Sequence, residues 1–104
     1  MATDKITNVN ANIEAQFPDY SNYVDLSSKA AGSTFTVDRT GFYLAYVNPQ
    51  TSAASLFSIR KSGQYVAIVN PIGGSPATNL CYLTAGVTYT ILHKANVQNA
   101  YLYY

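Results

Sequence analysis

The chain contains no tryptophan, one cysteine, one histidine and one methionine, and only 11% of its 104 residues are charged. Each shortage excludes something. A lone Cys81 cannot form an intramolecular disulfide, and its apolar neighbours mark it as a small buried hydrophobe. One histidine, His93, without a cysteine pair cannot meet the spacing of a zinc site, so no metal and no other cofactor is expected. The six cations, Lys5, Lys29, Arg39, Arg60, Lys61 and Lys94, are scattered and the net charge is +1, so no basic stripe tracks a phosphate backbone and no nucleic acid partner is expected. No stretch approaches the roughly eighteen apolar residues of a membrane span, and the N-terminus lacks the charged-then-apolar pattern of a signal peptide. Membrane insertion is therefore not expected. No asparagine begins an Asn-x-Ser/Thr sequon. The shortages together point to synthesis in a reducing cytoplasm, with export, if any, by a route other than a cleaved signal.

In place of charge the sequence carries 10 tyrosines and many serines, threonines and asparagines. At 11.3 kDa it has room for one core, burying about two thirds of the area that the unfolded chain exposes. Residues 1–20 differ from the rest: Ile6, Val9 and Ile13 follow the three-then-four spacing of a coiled-coil seam, with Gln16 at the next seam position. The segment is read as an N-terminal arm or short helix, with the stump of an oligomeric stalk as the sharper alternative. Residues 21–104 form the folded domain.

From Tyr20 onward the apolar period becomes two. STFTVDR alternates Phe35 and Val37 with Thr34, Thr36 and Asp38, and Thr40-Gly41 interrupts it before FYLAYV. ASLFSIRK and QYVAIV are joined by Ser62-Gly63, a tight-hairpin signal, because the turn needs a positive φ. NPIGGSPATN reads as an exposed loop; LCYLT and VTYTILHK are split by Ala85-Gly86, and VQNAYLYY closes the chain. With a first strand at NYVDLSS the count is eight short strands and no helix, which predicts an antiparallel β-sandwich or barrel.

The strands differ in their faces. The second and seventh each have a wet side of threonines. The third sets Phe42, Leu44 and Tyr46 against Tyr43, Ala45 and Val47; the sixth sets Leu80 and Tyr82 against Cys81 and Leu83; the eighth sets Leu102 and Tyr104 against Tyr101 and Tyr103. The fifth, QYVAIV, is also apolar on both sides. An antiparallel sheet normally offers one face to water. A sheet of the third, sixth and eighth strands therefore needs a second cover, and the economical one is another copy of the chain, with tyrosine supplying rigid contact area and a hydroxyl for the rim. Tyr43, Tyr82, Tyr101 and Tyr103 are expected at that contact.

The order AGSTFTVDRTGFYLAYV, then FSIRKSGQYVAIV, then CYLTAGVTYTILHK and a closing aromatic strand resembles the small jelly-roll tips of bacteriophage fibres, over residues 22–104. Two positions depart from that pattern: Val87 stands where an acidic residue is usual, and the hairpin has Ser62-Gly63 rather than Asn-Gly. The resemblance implies an eight-stranded antiparallel jelly roll pairing its first, eighth, third and sixth strands in one sheet. In the trimeric jelly rolls of the tumour-necrosis-factor and complement type, that sheet faces the threefold axis. It further implies a non-enzymatic, homotrimeric fibre tip or virion decoration protein, made in the host cytoplasm, located on the virion and binding a host surface glycan or protein.

Loops carry recognition on rigid sandwiches. The expected contacts are Asn48, Gln50 and Thr51 between the third and fourth strands, and Asn70, Ile72, Ser75 and Asn79 between the fifth and sixth. A monomeric carbohydrate-binding β-sandwich module is the alternative. A hydrolase would need His93, Asp38 and a nearby serine to converge; the expectation is that His93 is a surface residue near a strand end and that the chain is not an enzyme.

Overall fold

The computed structural model describes residues 17–104, so the proposed seam at Ile6, Val9 and Ile13 lies outside the described residues. Eight strands follow one another: β1 (Tyr23–Asp25), β2 (Thr34–Phe35), β3 (Gly41–Pro49), β4 (Leu56–Lys61), β5 (Gln64–Val69), β6 (Ala77–Leu83), β7 (Tyr89–Ala95) and β8 (Val97–Tyr103). No helix occurs among the described residues. Every pairing is antiparallel, in two four-stranded sheets ordered β1-β8-β3-β6 and β2-β7-β4-β5. The strands with two apolar faces, β3, β6 and β8, thus lie side by side in the first sheet.

Local chemistry explains the connections. Ser62 and Gly63 both have positive φ (49° and 80°), the twist a two-residue hairpin needs between β4 and β5. The chain passes from the second sheet to the first at Asn96, a left-handed residue (φ 55°) whose short amide tolerates that conformation. At one edge of the sandwich β1 and β2 have only three and two residues. Such short edge strands offer little template for adventitious pairing.

Several boundaries differ from the expectation: β1 keeps only Tyr23–Asp25 of NYVDLSS, and β2 only Thr34–Phe35 of STFTVDR. β6 begins at Ala77, within the stretch read as loop, because Ala77, Thr78 and Asn79 pair with Val47, Tyr46 and Ala45 of a β3 that is longer than the apolar run suggested. Pairing of their backbone groups outweighs the loop-like composition. Pro49 ends β3 where the register with β8 shifts, a place at which a missing N–H disrupts no ladder.

The core lies between the sheets. Tyr43, Ala45 and Val47 meet Cys81, Leu83, Ala100 and Leu102 from the first sheet and Phe57, Ile59, Ala67, Val69, Tyr89 and Ile91 from the second. Tyr43, expected at a subunit contact, is instead 1% exposed. It shares the inward side of β3 with Ala45 and Val47, and its hydroxyl donates to the Arg39 carbonyl at 2.5 Å, which satisfies the buried polar atom. Arg39 lies over both the Tyr43 and Tyr104 rings, at 5.1 and 5.4 Å from their centroids, closing that end of the core.

Candidate functional site

The alternation that sends Tyr43 inward sends its neighbours outward. The register stacks the outer side chains of the first sheet in rows across the strands: Asp25, Tyr101, Tyr46 and Thr78; then Tyr23, Tyr103, Leu44 and Leu80; then Phe42 and Tyr82. A further row, Asn48 and Asn99, joins their amides at 3.5 Å. The face grades from aromatic at the Phe42 end to amide at the Asn48 end.

The rings form two clusters, with Leu44 and Leu80 in the row between them. Tyr23 meets Tyr101 edge-on at 5.1 Å and Tyr103 at 5.8 Å; Tyr46 lies 6.2 Å from Tyr101 and 6.0 Å from Tyr103. At the other end Phe42 meets Tyr82 edge-on at 5.2 Å, and Phe17 stacks on Phe42 at 4.9 Å and 10°. These separations suit attractive ring pairs, which hold the side chains in place. The face remains open: Tyr23 is 57% exposed, Leu80 45% and Tyr82 43%. No lysine or arginine stands in these rows; the one carboxylate, Asp25, sits on edge strand β1. Hydrogen bonds from Ser27 hold the Asp25 carboxyl below its ordinary value, the backbone amide donating at 2.8 Å.

Of the tyrosines expected at a contact, Tyr82, Tyr101 and Tyr103 are on this face, as are Phe42, Leu44, Tyr46 and Tyr23. Period-two patterning identified the two-faced strands, and only the position of the second sheet showed which side was outside. Beside Phe17 a hollow of about 210 Å³ is lined by Asp19, Asn22, Arg39 and Tyr104.

The loop candidates divide. The 50–55 and 70–76 segments meet at one end of the sandwich: the Ser55 amide donates to the Pro71 carbonyl at 3.0 Å, and a Cβ on Gly74 would lie 3.5 Å from the Ser52 Cα. Gln50, Thr51, Asn70, Ile72 and Ser75 are exposed there. Asn48 and Asn79 lie within strands, and the Asn79 amide donates to the Ile68 carbonyl at 3.1 Å, tying the rims of the two sheets together. Asn96, which the sequence reading did not single out, organises the first loop. Its amide donates to the Ala53 carbonyl at 2.8 Å, its side-chain oxygen accepts from the Thr51 hydroxyl at 3.0 Å, and its carbonyl accepts from Ser55 at 2.7 Å. The signal available was an asparagine at a strand-to-strand junction.

His93 is half-buried, with Nδ1 at 2.7 Å from the Ser58 hydroxyl, which also accepts the His93 backbone N–H at 3.1 Å. Ser58 is fully buried, and the hydrogen bonds of this group join only Ser58 and His93, with none to Asp38. Cys81 faces the core, where burial pushes its thiol up to about 11. Among the described residues no three of His, Cys, Asp and Glu gather in a way that suits a metal ion. No protein-family model matches this chain, and neither a curated protein nor a solved structure shows significant similarity to it.

Proposed function

We propose that this chain is a non-enzymatic, homotrimeric jelly-roll domain of a bacteriophage fibre tip or virion decoration, assembled through the outer face of its first sheet and binding a host surface glycan or protein through its loops. The observation that carries the reading is the apolar, ring-rich outer face of β1, β8, β3 and β6, with its two aromatic clusters and the leucines between them. The strand order β1-β8-β3-β6 is the pairing such a jelly roll requires. The four strands, 3, 7, 9 and 7 residues long at about 3.4 Å each and about 4.8 Å apart, give a footprint on the order of 400 Å² before side-chain relief is counted. A standard interface takes roughly 800 Å² per partner, so side-chain relief and the flanking loops supply the rest. A patch of this extent, ring-rich and without lysine or arginine, has the composition of an interface centre rather than of an ordinary wet sheet. The exposed Gln50, Thr51, Asn70, Ile72 and Ser75 then stand together at the end of each subunit, where three copies multiply a weak contact.

Light scattering on a sizing column across a hundredfold dilution tests this. The expected mass is three times the 11.3 kDa of the single chain. A monomer at every concentration overturns it. The half-exposed Tyr23 and Tyr82 would then favour the second reading, a monomeric carbohydrate-binding module that stacks sugars on this face.

A further inference from the structure

We infer that the outer face of the second sheet carries a small glycan site selective for carboxylate-bearing sugars, centred on Arg60, Tyr65, Ile68, Thr90 and His93. The inference goes beyond the proposed function: it adds a binding place away from the loops and names its ligand class. It uses the second sheet alone, so it stands or fails separately from assembly through the first.

Strand β4 lies between β5 and β7. The register flanks Arg60 with Tyr65 and Thr90, and Ser58 with Ile68 and His93. Two register shifts, at Ile59/Arg60 against β5 and at Ser58/Ile59 against β7, fall within this block. Such irregularities re-aim side chains and recur beside binding sites. Ser58 is the small residue at the centre. Its hydroxyl, bonded to His93 Nδ1 and to the His93 amide, fixes the imidazole. The imidazole lies nearly parallel to the Tyr65 ring, at 16° with 6.4 Å between centroids. On the same ring the Arg60 guanidinium sits 5.1 Å from the centroid. The result is a held cluster in which His93 and Arg60 both lie against the Tyr65 ring, while Tyr65 and Ile68 remain 49% and 47% exposed.

Next to it a hollow of about 190 Å³ is lined by Arg60, Ser62, Gly63, Thr90 and Leu92. That is smaller than the roughly 300 Å³ at which sites for drug-sized ligands begin, and it matches a single sugar ring or a small acid. The chemistry around it is that of sugar recognition. A ring face attracts the slightly positive C–H groups of a pyranose, and the Ser62 and Thr90 hydroxyls suit sugar hydroxyls. The guanidinium donates one hydrogen bond, from Nη2 to the Gly63 carbonyl, which leaves Nη1 for a ligand; Nε is buried and out of a ligand's reach. A carboxylate is the acceptor a guanidinium pairs with best. Charge points the same way: Arg60 and Lys61 are adjacent, and no acidic residue occurs on β4, β5 or β7.

The test is a titration of the full chain with glucuronate, glucose and acetate, followed by amide chemical shifts, with the mass of each sample checked by light scattering. Glucuronate is expected to bind at least about tenfold more tightly than either glucose or acetate, with shifts confined to the β4–β5 hairpin and the facing part of β7. Arg60→Gln should abolish the preference over glucose, and Tyr65→Ala should weaken both sugars about tenfold. The wild-type comparison needs no variant to fold. Glucose or acetate equal to glucuronate, shifts at residues 50–55 and 70–76 instead, or affinity unchanged in a folded Arg60→Gln chain would each overturn the site, whatever mass is observed.

Discussion

Replacing Tyr101 and Tyr103 together by aspartate should dissociate the assembly while leaving the sandwich folded. Both rings stand on the outer face of β8, opposite Tyr46 and Leu44 on one side and Asp25 and Tyr23 on the other. Both residues are only partly exposed, so at most roughly 80 Å² of each is left for a partner. At about 25 cal/mol per Å² this is at most about 2 kcal/mol per ring, and two rings in three subunits give at most about 12 kcal/mol per trimer. Six unpaired carboxylates placed in a desolvated contact would add to the loss. Within the monomer the substitutions forfeit ring pairs worth about 0.5–1.5 kcal/mol each and some strand preference, but they leave Ala100 and Leu102 in the core. The assay is the same dilution series by light scattering, with far-UV circular dichroism reporting the fold. Tyr101→Phe with Tyr103→Phe, which keeps the rings, should retain the wild-type mass. A folded double-aspartate variant that still runs at three times 11.3 kDa would refute the argument.

Four further outcomes can be measured. Leu102→Ala removes a fully buried side chain between the sheets and should lower stability by about 2–5 kcal/mol in urea unfolding; a loss under 1 kcal/mol would contradict its place in the core. Gly63→Ala forces a side chain to φ +80° and should cost about 1–2 kcal/mol, whereas at an extended position it would be near neutral. Cys81 should resist iodoacetamide at pH 8 in the native chain and react on unfolding, since its thiol is pushed up to about 11 and faces the core; rapid native labelling would disprove that placement. Asp19 and Asp25 are both held below the ordinary carboxyl value of 3.8, first by the hydrogen bonds from Ser21 and Ser27. A depressed carboxyl contributes stability above its unfolded value and loses it as pH falls through the lowered one. The urea midpoint should therefore fall as pH drops towards and below 3.8, and Asp25→Ala should flatten part of that limb; an identical limb in the variant would exclude Asp25 as a source.

Much of this protein is decided by local chemistry. Continuous apolar runs from Phe42 to Val47 and from Ala100 to Tyr104, bounded by turn signals, specify strands with two apolar sides, and Ser62-Gly63 specifies a hairpin. These follow from neighbouring residues because side-chain direction in a strand has period two and because a tight turn needs positive φ. For the second and seventh strands the threonines marked the outer side, but which side of β3, β6 and β8 is inside was not decided locally. A period of two is symmetric between its faces, so Tyr43 and Tyr101 are equivalent in pattern, and only the sheet formed by β2, β7, β4 and β5 makes one a core residue and the other a surface one. The strand extension over Ala77–Asn79 likewise depended on β3 lying alongside, and the Arg60, Tyr65 and His93 cluster joins three strands through two register shifts. Contacts between residues distant in sequence exist only once the loops have closed and the sheets have packed, so the tertiary structure alone could place them.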